Sequence, residues 1–128
     1  MHMNLASNYR QHTTDATVAR IVEMARLRHE NPRAALMVET LGILPAKAKN
    51  QEIGNRISIM QKLWKALVTE RARRAAENWN YGFNRHINLV TLLAVELKAM
   101  TARADELSQE QLTIVTGIVN QINDTGKN

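Results

Sequence analysis

Cysteine is absent from the 128 residues. That excludes disulfides, thiol catalysis and cysteine-ligated zinc together, and it fits a reducing, cytoplasmic setting. Aromatic residues are scarce, at 4%. A core must then be filled by Leu, Ile, Val, Met and Ala, which favours helices over sheets. No long apolar run occurs. The N-terminal stretch MHMNLASNYRQHTTDA lacks the apolar centre of a secretory signal. The segment from Ile87 to Val95 is broken by Asn88 and Thr91 and is too short to span a bilayer. No membrane association is expected.

Motifs for chemistry are missing as well. The five glycines are scattered, so neither a phosphate-binding loop nor a dinucleotide fingerprint can form. Ser7, Ser58 and Ser108 lie outside any nucleophile-elbow pattern. His2, His12, His29 and His86 fall in no metal-ligand spacing, and no cofactor or metal is implied. Glu70 and Glu77 sit two turns apart among arginines and read as solvated ion-pair partners rather than an acid–base pair. The expectation is a protein without catalytic residues.

What remains is charge and periodicity. The formal net charge is +5, unevenly placed. Residues 1–86 hold fourteen Lys and Arg against seven Asp and Glu, while residues 87–128 hold three against five. Such asymmetry points to an acidic partner for the first two thirds, nucleic acid being the commonest.

The periodicity predicts an all-α fold: a compact bundle of four to five helices with a long third helix, over residues 14–124, with an arm at 1–13 and a tail at 125–128. Thr13 and Thr14 offer a cap for a first helix whose face is Val18, Ile21, Val22 and Ala25. Asn31-Pro32 opens a second helix, and Gly42 ends it. A third helix runs from about Ala46 or Asn50 to near Asn80. Its apolar face is Ile53, Ile57, Met60, Trp64, Leu67 and Val68, and its polar face holds Asn55, Ser58, Lys62, Lys65, Thr69 and Arg73. Gly54 within it suggests a close helix approach. A fourth helix, capped by Asn84, has the seam Ile87, Val90, Leu93, Leu97 and Met100. Leu89, Leu92 and Val95 lie off that seam, which predicts a homo-oligomer. Ser108 and Gln111 form a capping box for the last helix.

The candidate site follows from the end of the third helix. Its apolar line continues onto Arg71, so the core must stop there or Arg71 must meet an acid. Arg73 and Arg74 follow, then Trp79, Tyr81 and Phe83, then Arg85. Basic and aromatic side chains interleaved in this way can hold phosphates and stack on bases. Trp79 and Phe83 can equally plug the end of the bundle. The expected binding residues are Lys62, Lys65, Arg71, Arg73, Arg74, Trp79, Tyr81 and Arg85. The expected function is a non-catalytic accessory or regulatory protein binding nucleic acid through a basic helix. The alternative is an adaptor, inhibitor or chaperone whose protein partner is acidic. A helix-turn-helix over Ala34 to Arg56 is a further reading, with Lys47, Lys49, Asn50, Gln51, Asn55 and Arg56 placed to read a groove.

Overall fold

The computed structural model describes the backbone over 4–126 and the side chains over 14–124. It holds six α-helices and one 3-10 turn, and no strand among the described residues. The helices are α1 (Asn4–Glu30), α2 (Pro32–Leu41), α3 (Pro45–Lys49), α4 (Ile53–Ala75), α5 (Phe83–Ala102) and α6 (Gln109–Gly126). Because α1 starts at Asn4, Thr13 and Thr14 lie inside it rather than at its cap. Otherwise the arm expected over 1–13 and the tail over 125–128 fall outside the residues whose side chains are described.

The punctuation of the chain explains most boundaries. Asn31 accepts a hydrogen bond from the Ala34 amide at 3.1 Å, with Pro32 at the first helical position. Gly42 adopts the left-handed conformation (φ 70°) that closes α2. Ser108 and Gln111 cap each other reciprocally at 2.9 and 3.1 Å. The expected long third helix is instead two helices. Glu52 caps α4 by accepting from the Gly54 and Asn55 amides. A Cβ on Gly54 would stand 3.2 Å from that carboxylate. The glycine therefore admits the cap, not a neighbouring helix.

The other end of α4 also differs from expectation. The helix stops at Ala75, not near Asn80, through a Schellman closure. The Glu77 amide donates to the Arg74 carbonyl at 3.0 Å, and the Asn78 amide to the Arg73 carbonyl at 2.8 Å. Glu77 takes the left-handed backbone (φ 52°) that glycine usually fills. Similarly, Gly82 precedes α5, and Asn84 lies within its first turn.

Helices α4 and α5 form the centre and run antiparallel, since Arg56 meets Glu96 at one end and Glu70 meets Arg85 at the other. Helix α2 and α6 lie against this pair. The core holds Met37, Ile59, Met60, Leu63, Leu67, Leu89, Leu92, Leu93 and Met100 with smaller residues, and no aromatic ring is fully buried among the described residues. Leu89 and Leu92, expected to face a second copy, are core residues of the chain itself. Conversely Ile87 and Val90, expected on the seam, and Val68, expected on the apolar face of the third helix, are exposed. Helix α1 is likewise turned over: Leu27 is buried, while Val18, Ile21 and Val22 face outward. An exposed ion pair of Arg28 with Glu39 bridges α1 and α2.

One ionic cluster lies inside. Arg33 of α2 and Arg56 of α4 both pair with Glu96 Oε1, and both also donate to the Ala48 carbonyl, at 3.5 and 3.3 Å. Four helices are thus tied at one point. Burial pushes the Glu96 carboxyl above its ordinary range, with Arg33 pulling it back. No helix among the described residues is long and apolar enough to cross a membrane.

Candidate functional site

The exposed face of α4 carries Lys62, Lys65, Thr69 and Arg73 at spacings of three and four residues, so they align along one side. Arg85 comes across from the first turn of α5. Together with Leu41 and Glu70 they line an open groove of about 320 Å³. Four cations face one carboxylate there.

That carboxylate organises the site. Glu70 is 1% exposed and ends the buried line Leu63–Leu67–Glu70, where the sequence pattern pointed instead to Arg71. A buried acid needs partners, and three groups supply them. Arg73 Nη1 donates to Oε1 at 2.8 Å, Arg85 Nε stands 3.6 Å from the same oxygen, and the Gly82 amide donates to Oε2 at 3.3 Å. Glu70 is therefore an ion-pair partner, as expected, but a buried one. Of the last-turn arginines, Arg73 is drawn onto the bundle by this acid, while Arg74 is exposed.

At the other end of the groove, Lys62 has a second cation beside it. The Lys47 ammonium lowers the Lys62 pKa through direct contact and charge repulsion. Asn55 sets up this approach by donating to the Lys47 and Asn50 carbonyls, each at 2.9 Å, which fixes α3 against α4. Lys47 thus extends the basic face, although the sequence placed it only in the helix-turn-helix reading.

Arg71 and Arg74 lie elsewhere. At 100° per residue, Arg71 is roughly 160° around the helix from Arg73. Its guanidinium sits 5.6 Å from the Trp64 ring centroid in a cation–π arrangement. Arg74 lines a separate recess of about 230 Å³ with Tyr81, Phe83 and His86. Tyr81 is turned inward: its hydroxyl meets His86 Nδ1 at 2.9 Å, with the two rings edge to face. The eight expected residues therefore form one groove of four, two arginines on other surfaces, and two aromatic residues in the connecting loop.

Trp79 is the outlier. It is 90% exposed, so it does not plug the bundle, and Phe83 is 64% exposed. The loop itself is ordered by its own hydrogen bonds. The Tyr81 amide donates to the Asn78 carbonyl at 3.0 Å, closing a β-turn with Trp79 at its first corner. The Asn78 side chain accepts from the Asn80 amide at 2.8 Å. One end of this loop is the Schellman closure and the other is Gly82 on Glu70. An indole is thereby left in solvent on the loop that joins α4 to α5.

The helix-turn-helix reading fails on geometry. Helix α3 has five residues, too few for a recognition helix. Arg56, expected at a groove, is buried against Glu96, and Asn55 is spent on backbone carbonyls. Among the described residues, no three His, Asp or Glu side chains converge as metal ligands. No protein-family model, curated protein or solved structure matches the chain.

Proposed function

We propose that this protein is a non-catalytic accessory protein that binds single-stranded nucleic acid. The observation that carries the reading is Trp79, 90% exposed on a hydrogen-bonded turn of the loop whose Gly82 amide donates to Glu70 in the groove of Lys62, Lys65, Arg73 and Arg85. An exposed indole costs solvation and contributes nothing to the core. On a loop tied to this groove it makes a platform on which an unpaired base stacks while the phosphates lie along the lysines. Lys62 and Lys65 supply the mobile charge, while Arg73 and Arg85 are fixed in direction by Glu70.

Single strands fit better than duplex. A paired base cannot reach a stacking side chain without leaving its helix, and a five-residue α3 offers nothing to a major groove. The test is fluorescence anisotropy with labelled single-stranded and duplex DNA and RNA. Tighter binding to single strands, lost on Trp79→Ala, is expected. Equal affinity for duplex, unchanged in that variant, overturns the reading.

A further inference from the structure

Helix α1 carries an apolar stripe that the bundle does not cover. Every side chain from Thr14 to Glu23 is exposed, about three turns of helix. Val18, Ile21 and Val22 are 51%, 62% and 49% exposed. With Ala25 they recur at i, i+3, i+4 and i+7, within an arc of about 100°. Leu27 is the one buried side chain among the described residues of α1, and it lies roughly 170° from the middle of that arc. One face of α1 therefore packs on the bundle, and a complete apolar stripe points the opposite way. Helices draw most of their stability from packing such a face, and Val and Ile contribute little to a helix left in water.

The flanks of the stripe decide what can cover it. Asp15 and Arg26 stand on the same flank, roughly 70° and 90° from its middle, and on either side of Ile21 along the axis. Among the described residues neither is in an ion pair. Glu23 and Glu30 lie beyond Arg26, farther from the stripe. Arg28 stands on the other flank and is paired with Glu39. A two-fold axis near Ile21 sets two antiparallel copies together, each flank against its own equivalent. Asp15 then comes level with Arg26 of the second copy, Val18 with Val22, and Ile21 with itself, all to within about one residue's rise of 1.5 Å. A parallel pair would instead turn the flank of Arg26 toward the flank of Arg28, cation against cation.

We propose that the occupant of this stripe is a second copy of the chain: two α1 helices cross antiparallel at Ile21, with Asp15 of each against Arg26 of the other. The interface is isologous, so one residue pair supplies both ion pairs. Exposed ion pairs are worth little in free energy. The stripe of Val18, Ile21 and Val22 therefore supplies the affinity, and the charges choose the direction and the partner. Self-association thus rests on α1 and not on Leu89 and Leu92 of α5, which are spent in the core. The inference does not depend on nucleic-acid binding, which uses α4, α5 and the loop between them.

The test is sedimentation equilibrium of the full chain over a concentration series, which should show a species of twice the 14.5 kDa chain mass. Ile21→Glu should leave a monomer with a thermal unfolding midpoint like that of the dissociated parent, because the side chain is exposed in the single chain. Asp15→Arg and Arg26→Asp each remove both ion pairs and oppose like charges. Each should weaken association on the order of fivefold, and the two together should restore it. The absence of cysteine lets direction be read by cross-linking. Under mild oxidation Ile21→Cys should link to itself, and Val18→Cys should link to Val22→Cys in preference to itself. A parent chain that stays monomeric at every concentration overturns the proposal, whatever other partner α1 takes. So does a dimer that Ile21→Glu leaves intact, a charge exchange that fails to restore association, or self-linking of Val18→Cys as fast as that of Ile21→Cys.

Discussion

Glu70 Oε1 accepts from Arg73 Nη1 at 2.8 Å while the carboxylate is shut away from solvent at the end of the core. The same carboxylate holds Arg85 and the Gly82 amide, so it links α4, α5 and the loop that carries Trp79. Its role is to orient the site, and removing it separates orientation from charge. Glu70→Gln keeps the shape and removes the one negative charge in the groove. Polyanion binding at low salt should tighten as Arg73 and Arg85 are released. Stability should fall by about 1–3 kcal/mol, because hydrogen bonds to a charged group are lost. Urea unfolding and anisotropy on the same variant check both signs.

The two tryptophans should behave oppositely. Trp79→Ala removes a solvent-held ring, so unfolding should shift by no more than about 0.5 kcal/mol. Binding to a single strand should weaken by about 1–3 kcal/mol, the usual worth of one base–indole stack. Trp64 is half-buried against the core with Arg71 above it. Trp64→Ala should destabilise by roughly 3 kcal/mol or more and leave single-strand affinity unchanged in the folded fraction.

Glu77 stands where a helix C-terminus ordinarily has glycine. Glu77→Gly relieves the left-handed strain and loses some of that gain to backbone entropy. A net stabilisation of about 0.5 kcal/mol should follow. The variant also removes a carboxylate near Trp79, so polyanion binding should not weaken. A lower unfolding midpoint in urea would contradict the assignment of the closure.

The Arg33–Glu96–Arg56 cluster predicts a pH effect. Burial raises the Glu96 pKa above the ordinary 4.5, so the fold favours the protonated acid over the carboxylate. Its contribution is greatest below 4.5 and is lost as pH rises through the raised value. Glu96→Gln should remove that decline from a plot of unfolding free energy against pH. Glu96→Ala, which leaves Arg56 buried without its counter-charge, should cost about 3–5 kcal/mol at neutral pH. Pairing Arg56→Met with Glu96→Leu should recover most of that loss, since an apolar pair needs no compensating charge.

Much of the fold was legible because its punctuation is local. Asn31-Pro32, Gly42 and the Ser108–Gln111 box satisfy helix ends with residues three or four positions apart, and each is found as expected. The end of α4 was not legible, because its closure uses a glutamate in a glycine position. The faces of α1 and α5 were misjudged for another reason. Val18, Ile21 and Val22 on α1, and Ile87 and Val90 on α5, have core-like spacing, yet partner geometry buries Leu27, Leu89 and Leu92 instead. Periodicity gives a stripe but not which of two adjacent stripes finds a neighbour. Within the site, the common face of Lys62, Lys65 and Arg73 could be read from spacing. Arg85 and Lys47 join it only through tertiary contacts, and the burial of Glu70 depends on how α4 is rotated against α5.

The central claim, that phosphates lie along the α4 groove, is tested most directly by the salt dependence of binding to a single-stranded oligonucleotide. Lys62 and Lys65 are both exposed, so the double Ala variant should fold like the parent. For single strands each phosphate contact contributes about 0.7 to the slope of log K against log salt. The account predicts that Lys62→Ala with Lys65→Ala lowers the slope by roughly 1.4 and weakens binding at low salt. An unchanged slope in the folded variant, or no binding by the parent protein even at low salt, would contradict it.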